Sequence, residues 1–392
     1  MNNKLAGLIE VLKVSTKLGL TSFGGPIAHL GYFHDEYIQK RKWMDERNYA
    51  DLVALCQFLP GPASSQIGIG IGTMRAGLLG GIVAWIGFTL PSVITMVLFA
   101  FLLKGFDLGS SGWIHGLKVV AVAIVAHAVL TMGQKLASDR IKATIAIISA
   151  GISLLWQTVY SQVAIIILSG LLGLAIYRKA ANANHTIIPV RINKIFSVVC
   201  IVIFFLLLVL LPAARTLSSD KSLALFDSFY RSGSLVFGGG HVVLPLLERE
   251  VVPTGWVSQE DFLAGYGATQ AVPGPLFTFA AYLGAMTLGI TGATIATIAV
   301  FLPSFLLVIG VLPFWDSLRQ NSKIQGALIS TNAAVVGILL GALYKPLWTT
   351  AILSSQDFVL ASTLFGMLFF WRLPPWIVVI TGAVGGLIIG TL

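Results

Sequence analysis

Long apolar runs separated by short polar stretches dominate this chain of 392 residues. About 20 apolar residues in a helix cross the roughly 30 Å hydrocarbon core of a bilayer, so such runs predict membrane-spanning helices. The first 20 residues place Leu5, Ile9 and Leu12 at helical spacing among charges, which predicts an amphipathic interfacial helix. The pattern therefore predicts an all-α, polytopic integral membrane protein. The predicted spans are residues 77–103, 114–132, 141–156, 161–177, 195–211, 290–313, 324–343, 351–370 and 376–392.

Four short landmarks occur twice at offsets of 214, 213, 213 and 212 residues, which indicates an internal repeat. The two halves are predicted to be residues 1–185 and 215–392, joined by a basic linker and a connecting span at 186–214. The landmarks are Phe23-Gly24-Gly25 with Phe237-Gly238-Gly239, Trp43 with Trp256, Gln57 and Pro60-Gly61-Pro62 with Gln270 and Pro273-Gly274-Pro275, and the Leu-Pro-Ser sites ending at Ser92 and Ser304.

The distribution of Lys and Arg predicts how the halves are oriented, because basic residues are enriched in cytoplasmic loops. If the Pro-Gly-Pro segments enter the membrane and return to the same side, one side carries 18 basic residues and the other 7. If those segments cross fully, the repeats are parallel and basic loops lie on both sides. The first arrangement is favoured, so we expect an inverted-topology repeat with re-entrant broken helices.

Amino-acid composition argues against several classes of protein. Hydrophobic residues make up 56% of the chain and charged residues 10%, against about 25% charged in a soluble domain. The net charge is +9, and the basic residues lie between apolar spans without interleaved aromatic residues. This placement favours the lipid bilayer over nucleic acid as partner. Neither the six histidines nor Cys56 and Cys200 have metal-ligand spacing, and no nucleophile–base or nucleotide-binding motif is present. We expect no cofactor, no metal and no enzyme activity.

The duplicated Pro-Gly-Pro is the strongest candidate for a binding site. Two prolines and a glycine cannot continue a helix, so the backbone opens and a new helix starts after the second proline. The free N–H groups and the dipole of a helix start favour an anion. Ser64, Ser65 and Thr278 follow closely and are candidate hydroxyl donors. A plain kink is the alternative, but the duplication, with Gln57 and Gln270 three residues ahead, favours a site.

Other candidates are less specific. The Phe-Gly-Gly sequences predict a bend that serves either close helix packing or substrate contact, and both remain open. Lys17 and Arg231 occupy equivalent positions, and Arg75 ends the first broken segment. All three are candidate anion contacts. The alternatives are that they contact lipid headgroups or set the orientation of the chain in the membrane. Glu36 and Glu250 also match, in segments predicted to be loops.

These motifs resemble those of the chromate ion transporter family in its long, two-domain form. The resemblance implies fused antiparallel halves and a secondary transporter that exports chromate across the bacterial cytoplasmic membrane, giving chromate resistance, with sulfate as the related oxyanion. A transporter of sulfate or another oxyanion, or a passive anion channel, stays open, as does a homodimer. The residues that carry the resemblance are Phe23-Gly24-Gly25-Pro26, Trp43, those at 57–62, 237–241 and 270–275, and the two Leu-Pro-Ser sites.

Overall fold

The computed structural model describes residues 2–106, 112–176, 192–237, 239–315, 318 and 321–391, and all regular secondary structure there is helical. Gly238, His185, Arg319 and most of the predicted basic linker lie outside the described residues. The first half comprises α1 (Asn2–Thr21), α2 (Gly25–Phe33) with a π-helical turn (His34–Lys40), α3 (Glu46–Phe58), α4 (Ala63–Phe106), α5 (Gly112–Leu136), α6 (Arg140–Leu155) and α7 (Val159–Ile176).

The second half repeats this order after a connecting helix, α8 (Lys194–Leu217). Each predicted span overlaps a helix of the structure, and the span predicted at 351–370 begins four residues before its helix, Ser355–Phe369. The remaining helices are α9 (Lys221–Ser234), a 3-10 turn (Gly240–Val242) leading into α10 (Val243–Val251), α11 (Gln259–Thr269), a 3-10 turn (Leu276–Thr278) leading into α12 (Phe279–Val311) with a 3-10 turn after it (Leu312–Phe314), α13 (Ser322–Ala342) followed by a π-helical turn (Leu343–Trp348) and one helical turn (Thr349–Ala351), α14 (Ser355–Phe369) and α15 (Pro375–Thr391).

The outer surface is that of a membrane protein. Five helical stretches of the described chain are long and apolar enough to cross a bilayer. Large apolar side chains such as Ile147, Ile195 and Val209 point outward on the helices that carry them. The stripe of Leu5, Ile9 and Leu12 on α1 is likewise exposed, while a second stripe, Val11, Val14 and Leu18, is buried. The α1 helix is thus part of the bundle and packs along α4.

The long helices α4 and α12 are each broken near one end. Gly77 (φ +72°) and Gly289 (φ +63°) adopt left-handed conformations that favour glycine, and the chain reverses direction there. The backbone at Gly72 consequently lies against Gly80, eight residues later. Residues 63–76 and 78–106 of α4 are therefore two helices, and the equivalent reversal in α12 places Gly284 against Gly292.

The first part of α4 also pairs with α3. Leu52 of α3 packs on Gly70 of α4, so the two helices form a hairpin with the Pro-Gly-Pro turn at its tip. The open end of this hairpin brings Arg75 over the Trp43 ring, 5.3 Å from its centroid. This hairpin has the geometry expected of a re-entrant segment, and its position in the bilayer stays a prediction.

Contacts between the halves confirm that they are antiparallel. The second part of α4 leaves Gly77 beside the first hairpin's open end and finishes at Lys104, which donates to the Ala285 carbonyl. Lys104 also lines a surface cavity with Ser258 and Asp261 at the open end of the second hairpin. Because about 29 helical residues span some 40 Å, the two open ends lie at opposite ends of the molecule.

One helix of each half packs mainly against helices of the other half. α5 packs against α14 and α15 of the second half, and α13 packs against α6 and α7 of the first. Glycines at these crossings, such as Gly116 against Gly382 and Gly173 against Gly326, let the backbones approach closely. Because α5 and α13 each pack against the opposite half, elements of both halves surround the region where the motifs meet.

Candidate functional site

The Pro-Gly-Pro turns interrupt the helices as the sequence predicts. In the first half, α3 ends at Phe58 and α4 begins at Ala63, directly after Pro62. In the second half, Pro275 caps the short 3-10 turn that precedes α12. Gly61 (φ +115°) and Gly274 (φ +97°) occupy conformations that residues with a Cβ rarely adopt. The glycine in each turn is thus a requirement of the backbone.

Each Pro-Gly-Pro turn is hydrogen-bonded to the opposite half. The Gly61 N–H donates to the Val236 carbonyl at 2.7 Å, and the Gly274 N–H donates to the Ser22 carbonyl at 2.8 Å. Val236 and Ser22 are repeat equivalents that directly precede the two Phe-Gly-Gly sequences. Two motifs about 35 residues apart in each half therefore meet across the interface of the halves, in reciprocal pairs.

The Leu-Pro-Ser sites join the same assembly. A Cβ added at Gly274 would collide with the Ser92 hydroxyl, and one added at Gly61 would collide with the Ser304 hydroxyl. The Ser92 hydroxyl also donates a hydrogen bond to the Pro273 carbonyl. Three duplicated motifs thus form one centre around the pseudo-twofold axis, with the serine of each half lying on the turn of the other.

The backbone bends at the described glycines of the Phe-Gly-Gly sequences, as the sequence predicts. Gly24, Gly25 and Gly239 have φ values of +98°, +78° and +143°. Phe23 and Phe237 are half-buried beside them. Substrate contact by these residues stays a prediction.

The polar side chains next to the turns differ between the halves. Ser64 and Ser65 are buried at the start of α4. Thr278, the equivalent of Ser65, donates its hydroxyl to the Pro275 carbonyl at 2.9 Å. Gln57 is exposed, whereas Gln270 is half-buried. The two turns therefore have the same backbone plan and different chemistry.

The candidate cations lie in ion pairs of matching design. Lys17 Nζ lies 2.8 Å from the Glu36 carboxylate, and Arg231 lies 3.1 Å from Glu250. Both carboxylates are buried, although their segments were predicted to be loops. Burial alone would raise the pKa of Glu36, but hydrogen bonds from Lys17 and Arg41 outweigh it and hold that pKa below its ordinary value. Lys17 and Arg231 thus neutralise carboxylates of their own halves.

Arg75 has a spatial counterpart that the repeat alignment does not reveal. Arg75 pairs with Glu10 at 2.9 Å and stacks on Trp43. Its repeat equivalent is Thr287, yet the Trp256 ring carries Arg215 of α8, 5.7 Å from the centroid. The connecting helix therefore restores in space the symmetry that the sequence lacks at Arg75. Arg215 was not a candidate because it does not lie at the repeat-equivalent position.

The duplicated motifs and the cations occupy different zones. Arg75 is fourteen residues from Gly61 along the hairpin, which corresponds to roughly 20 Å of helix. The Phe-Gly-Gly, Pro-Gly-Pro and Leu-Pro-Ser motifs meet at the centre, whereas Arg75 and its ion pairs lie at a hairpin's open end. Ser22, Gln66 and Ser304 also lie at this centre, although they were not among the predicted site residues. Only the repeated Leu-Pro-Ser pointed to one of them.

The described histidines lie in separate surroundings. The His241 Nδ1 atom lies 2.8 Å from the Tyr266 hydroxyl, and His29 is buried against Phe88. Across the described residues, no group of three or more His, Cys, Asp or Glu side chains is arranged to hold a metal ion. The arrangement at the centre can bind an acceptor-rich solute through N–H and O–H donors.

Comparison with known proteins identifies the family. The family model described as chromate transporter matches residues 9–174 and 223–387, one match in each half. A probable chromate transport protein of Synechococcus elongatus is 27% identical over 97% of this chain and 95% of its own length. The chromate transport protein of Pseudomonas aeruginosa is 27% identical over 82% of this chain and 77% of its own.

A shorter relative agrees with the repeat. An uncharacterized transporter of Bacillus subtilis is 31% identical over 43% of this chain and 97% of its own length, so it has about the length of one half. No solved structure matches the chain. Matches to both halves, together with the paired motifs that meet at the centre, show that this chain belongs to the chromate transporter family.

Proposed function

We propose that the protein is a secondary transporter that exports chromate across the bacterial cytoplasmic membrane and thereby confers chromate resistance. The observation that carries this proposal is the reciprocal pairing of each Pro-Gly-Pro turn with the opposite half. Two broken helices that meet between inverted repeats are the usual setting of a substrate site in secondary transporters.

The chemistry of the centre suits a tetrahedral dianion. Chromate carries only acceptor oxygens, so it needs N–H and O–H donors and compensating positive potential. The start of α4 supplies unpaired N–H groups and the positive end of a helix dipole, and Ser64 and Ser65 add buried hydroxyls. We propose Gln57 and the two Phe-Gly-Gly bends as further parts of the lining, with Gln270 and Thr278 shaping the second turn.

The buried centre requires movement for transport. Two surface cavities lie at repeat-equivalent positions, one beside Trp43 and Met74 and the other beside Ser258 and Met286. Neither is lined by the Pro-Gly-Pro residues. Rocking one half against the other would open the centre to each end in turn. An inside-negative potential favours the exit of a dianion by about 2.3 kcal/mol per charge per 100 mV.

Chromate uptake into everted membrane vesicles tests this function. Vesicles carrying the protein should accumulate chromate, the potential should accelerate the uptake, and an ionophore that collapses the potential should slow it. The control is vesicles without the protein. Accumulation no greater than in the control would refute export. Competition by sulfate measures whether sulfate shares the path, and the absence of trans-stimulation would indicate a passive channel.

A further inference from the structure

The two Pro-Gly-Pro turns cap their first proline carbonyl in different ways. In the first half, the Gln66 side-chain Nε2 donates to the Pro60 carbonyl at 2.7 Å, so the partner comes from the same half. In the second half, Phe279 stands where Gln66 would be and has no amide to donate. The Pro273 carbonyl is instead bonded by the Ser92 hydroxyl of the opposite half.

With these different partners, the Ser304 hydroxyl is left without a hydrogen bond. Ser304 is the repeat equivalent of Ser92 and lies against Gly61, but the Pro60 carbonyl beside it is already bonded by Gln66. The Ser304 hydroxyl is fully buried and has no hydrogen-bond partner within the described structure. A buried unpaired hydroxyl is costly, so its retention calls for a partner in another state of the protein.

A second unpaired hydroxyl lies at the same turn. The Ser65 side chain is 1% exposed, and its hydroxyl also lacks a partner among the residues described. Ser65 is in the first turn of α4, where the N–H groups of residues 63–65 precede the first intrahelical bond, from Gln66 to Pro62. Free N–H and O–H donors therefore converge on the first-half turn.

The equivalent position in the second half offers fewer donors. Thr278 donates its hydroxyl to Pro275, and Phe277 and Phe279 replace Ser64 and Gln66. The turn Leu276–Thr278 is a short 3-10 helix whose Thr278 N–H is already bonded to Pro275. Phe277 and Phe279 make the start of α12 apolar, and both the Thr278 and the Ser92 hydroxyls there are hydrogen-bonded. The buried Ser22 hydroxyl and the Gln270 Nε2 atom, which flank this turn, have no partner among the described residues. The second turn therefore lacks the pair of unpaired serine hydroxyls found at the helix start of the first.

We infer that the oxyanion binds at the first-half turn only, and that Ser304 of the second half is one of its ligands together with Ser65 and the N–H groups that open α4. This inference rests on the proposed oxyanion transport and names the residues that perform it. Because Ser304 lies on α12 and Ser65 on α4, binding joins the halves through the anion.

Two repeat-equivalent substitutions separate the roles of the serines. Ser304→Ala removes an unpaired hydroxyl, so the unfolding temperature without anion should stay the same or rise. Its chromate Kd should weaken about tenfold or more, since a hydrogen bond to a charged group is lost. Ser92→Ala breaks a bond that holds the second turn, so its unfolding temperature should fall while its Kd changes less than twofold. Sodium chromate titration of purified protein in nanodiscs measures the Kd, and thermal unfolding measures stability.

Ser65→Ala and Thr278→Ala provide a second matched pair. Ser65→Ala should weaken chromate binding about tenfold, and Thr278→Ala should leave it within twofold. Equal weakening by both members of either pair would overturn the inference, because it would place the anion at both turns. Unchanged binding in Ser304→Ala, with a wild-type protein that binds and transports chromate, would overturn it as well. A wild-type protein that transports no chromate refutes the proposed function instead.

Discussion

At the scale of single residues, glycine at positions 61 and 274 satisfies two constraints at once. Each has a positive φ, and each leaves space that a serine hydroxyl of the opposite half occupies. Neither constraint is visible in the local sequence, because the serines are some 240 and 180 residues away along the chain. The motif therefore records a contact between halves as much as a helix break.

Substituting these glycines should impair transport. In Gly61→Ala and Gly274→Ala, the backbone strain and the collision with Ser304 or Ser92 should together cost roughly 1–3 kcal/mol. We expect chromate flux to fall at least fivefold while the protein still inserts in the membrane. Gly31→Ala is the control, since a Cβ there meets no atom within 4 Å. Wild-type flux in both variants would show that the turns are plain helix kinks with no role in transport.

Glu36 stabilises the first hairpin's open end by accepting from Lys17 and Arg41. Its folded-state pKa is held below the ordinary value, so its contribution is full above an unfolded pKa of about 4.3 and is lost as pH falls through the folded pKa. Glu36→Gln should therefore destabilise the protein by about 1–2 kcal/mol at pH 7. The difference from wild type should shrink on acidification.

Thermal unfolding in detergent from pH 7 to pH 3 measures this difference. Asp35→Asn is the control, because the neighbouring Asp35 side chain is 60% exposed and does not contact Lys17 or Arg41. A destabilisation by Glu36→Gln that grows as the pH falls would contradict the assignment of Glu36 as the ionised partner.

At the scale of elements, the reversals in α4 and α12 decide where the Leu-Pro-Ser sites lie relative to the Pro-Gly-Pro turns. The left-handed Gly77 and Gly289 end the short helices that start at the Pro-Gly-Pro turns, and the glycines near each reversal let the paired segments touch. A straight helix through residues 63–106 would carry residues 78–106 past the open end of the hairpin. The reversal instead returns the chain along the hairpin, which brings Ser92 to the Gly274 turn of the opposite half.

Filling the reversal should separate the two segments of α4. In Gly80→Ala, the added methyl would overlap the Gly72 backbone, so we expect a loss of about 2–4 kcal/mol and a lower yield of folded protein. Gly68→Ala lies on the same helix, and a Cβ there meets nothing within 4 Å. It should behave as wild type in thermal unfolding. Equal stability of the two variants would show that the close approach at Gly80 is unimportant.

At the scale of the whole molecule, antiparallel halves place equivalent positions at opposite ends. Arg47 and Glu260 are repeat equivalents, each the second residue of its helix, and both are exposed. With 18 basic residues on the side of Arg47 and 7 on the other, we expect Arg47 in the cytoplasm and Glu260 outside.

Cysteine labelling of intact cells tests this orientation. In a chain in which the buried Cys56 and Cys200 are replaced by alanine, Glu260→Cys should react with an impermeant maleimide, and Arg47→Cys should react only after permeabilisation. The cysteine-free chain is the control for background reaction. Equal labelling of both positions from outside would exclude the inverted topology.

Much of the architecture was predictable from the sequence, because it depends on local composition and on self-similarity. Apolar runs of membrane length located the spans, two prolines around a glycine located the helix breaks, and constant offsets revealed the repeat. The charge bias predicted antiparallel halves because topology follows the placement of Lys and Arg along the chain. These properties need no knowledge of which segments touch.

The tertiary structure decided what the motifs do, because their partners come from the other half. The exchange of α5 and α13, the stacking of Arg215 on Trp256 and the contact of Ser304 with Gly61 join residues that no periodicity relates. A repeat predicts equivalent positions, but it does not predict which donor each acceptor receives. The Pro60 carbonyl accepts from Gln66 and the Pro273 carbonyl from Ser92, so the two equivalent serines differ: Ser92 is bonded, and Ser304 has no partner in the described structure.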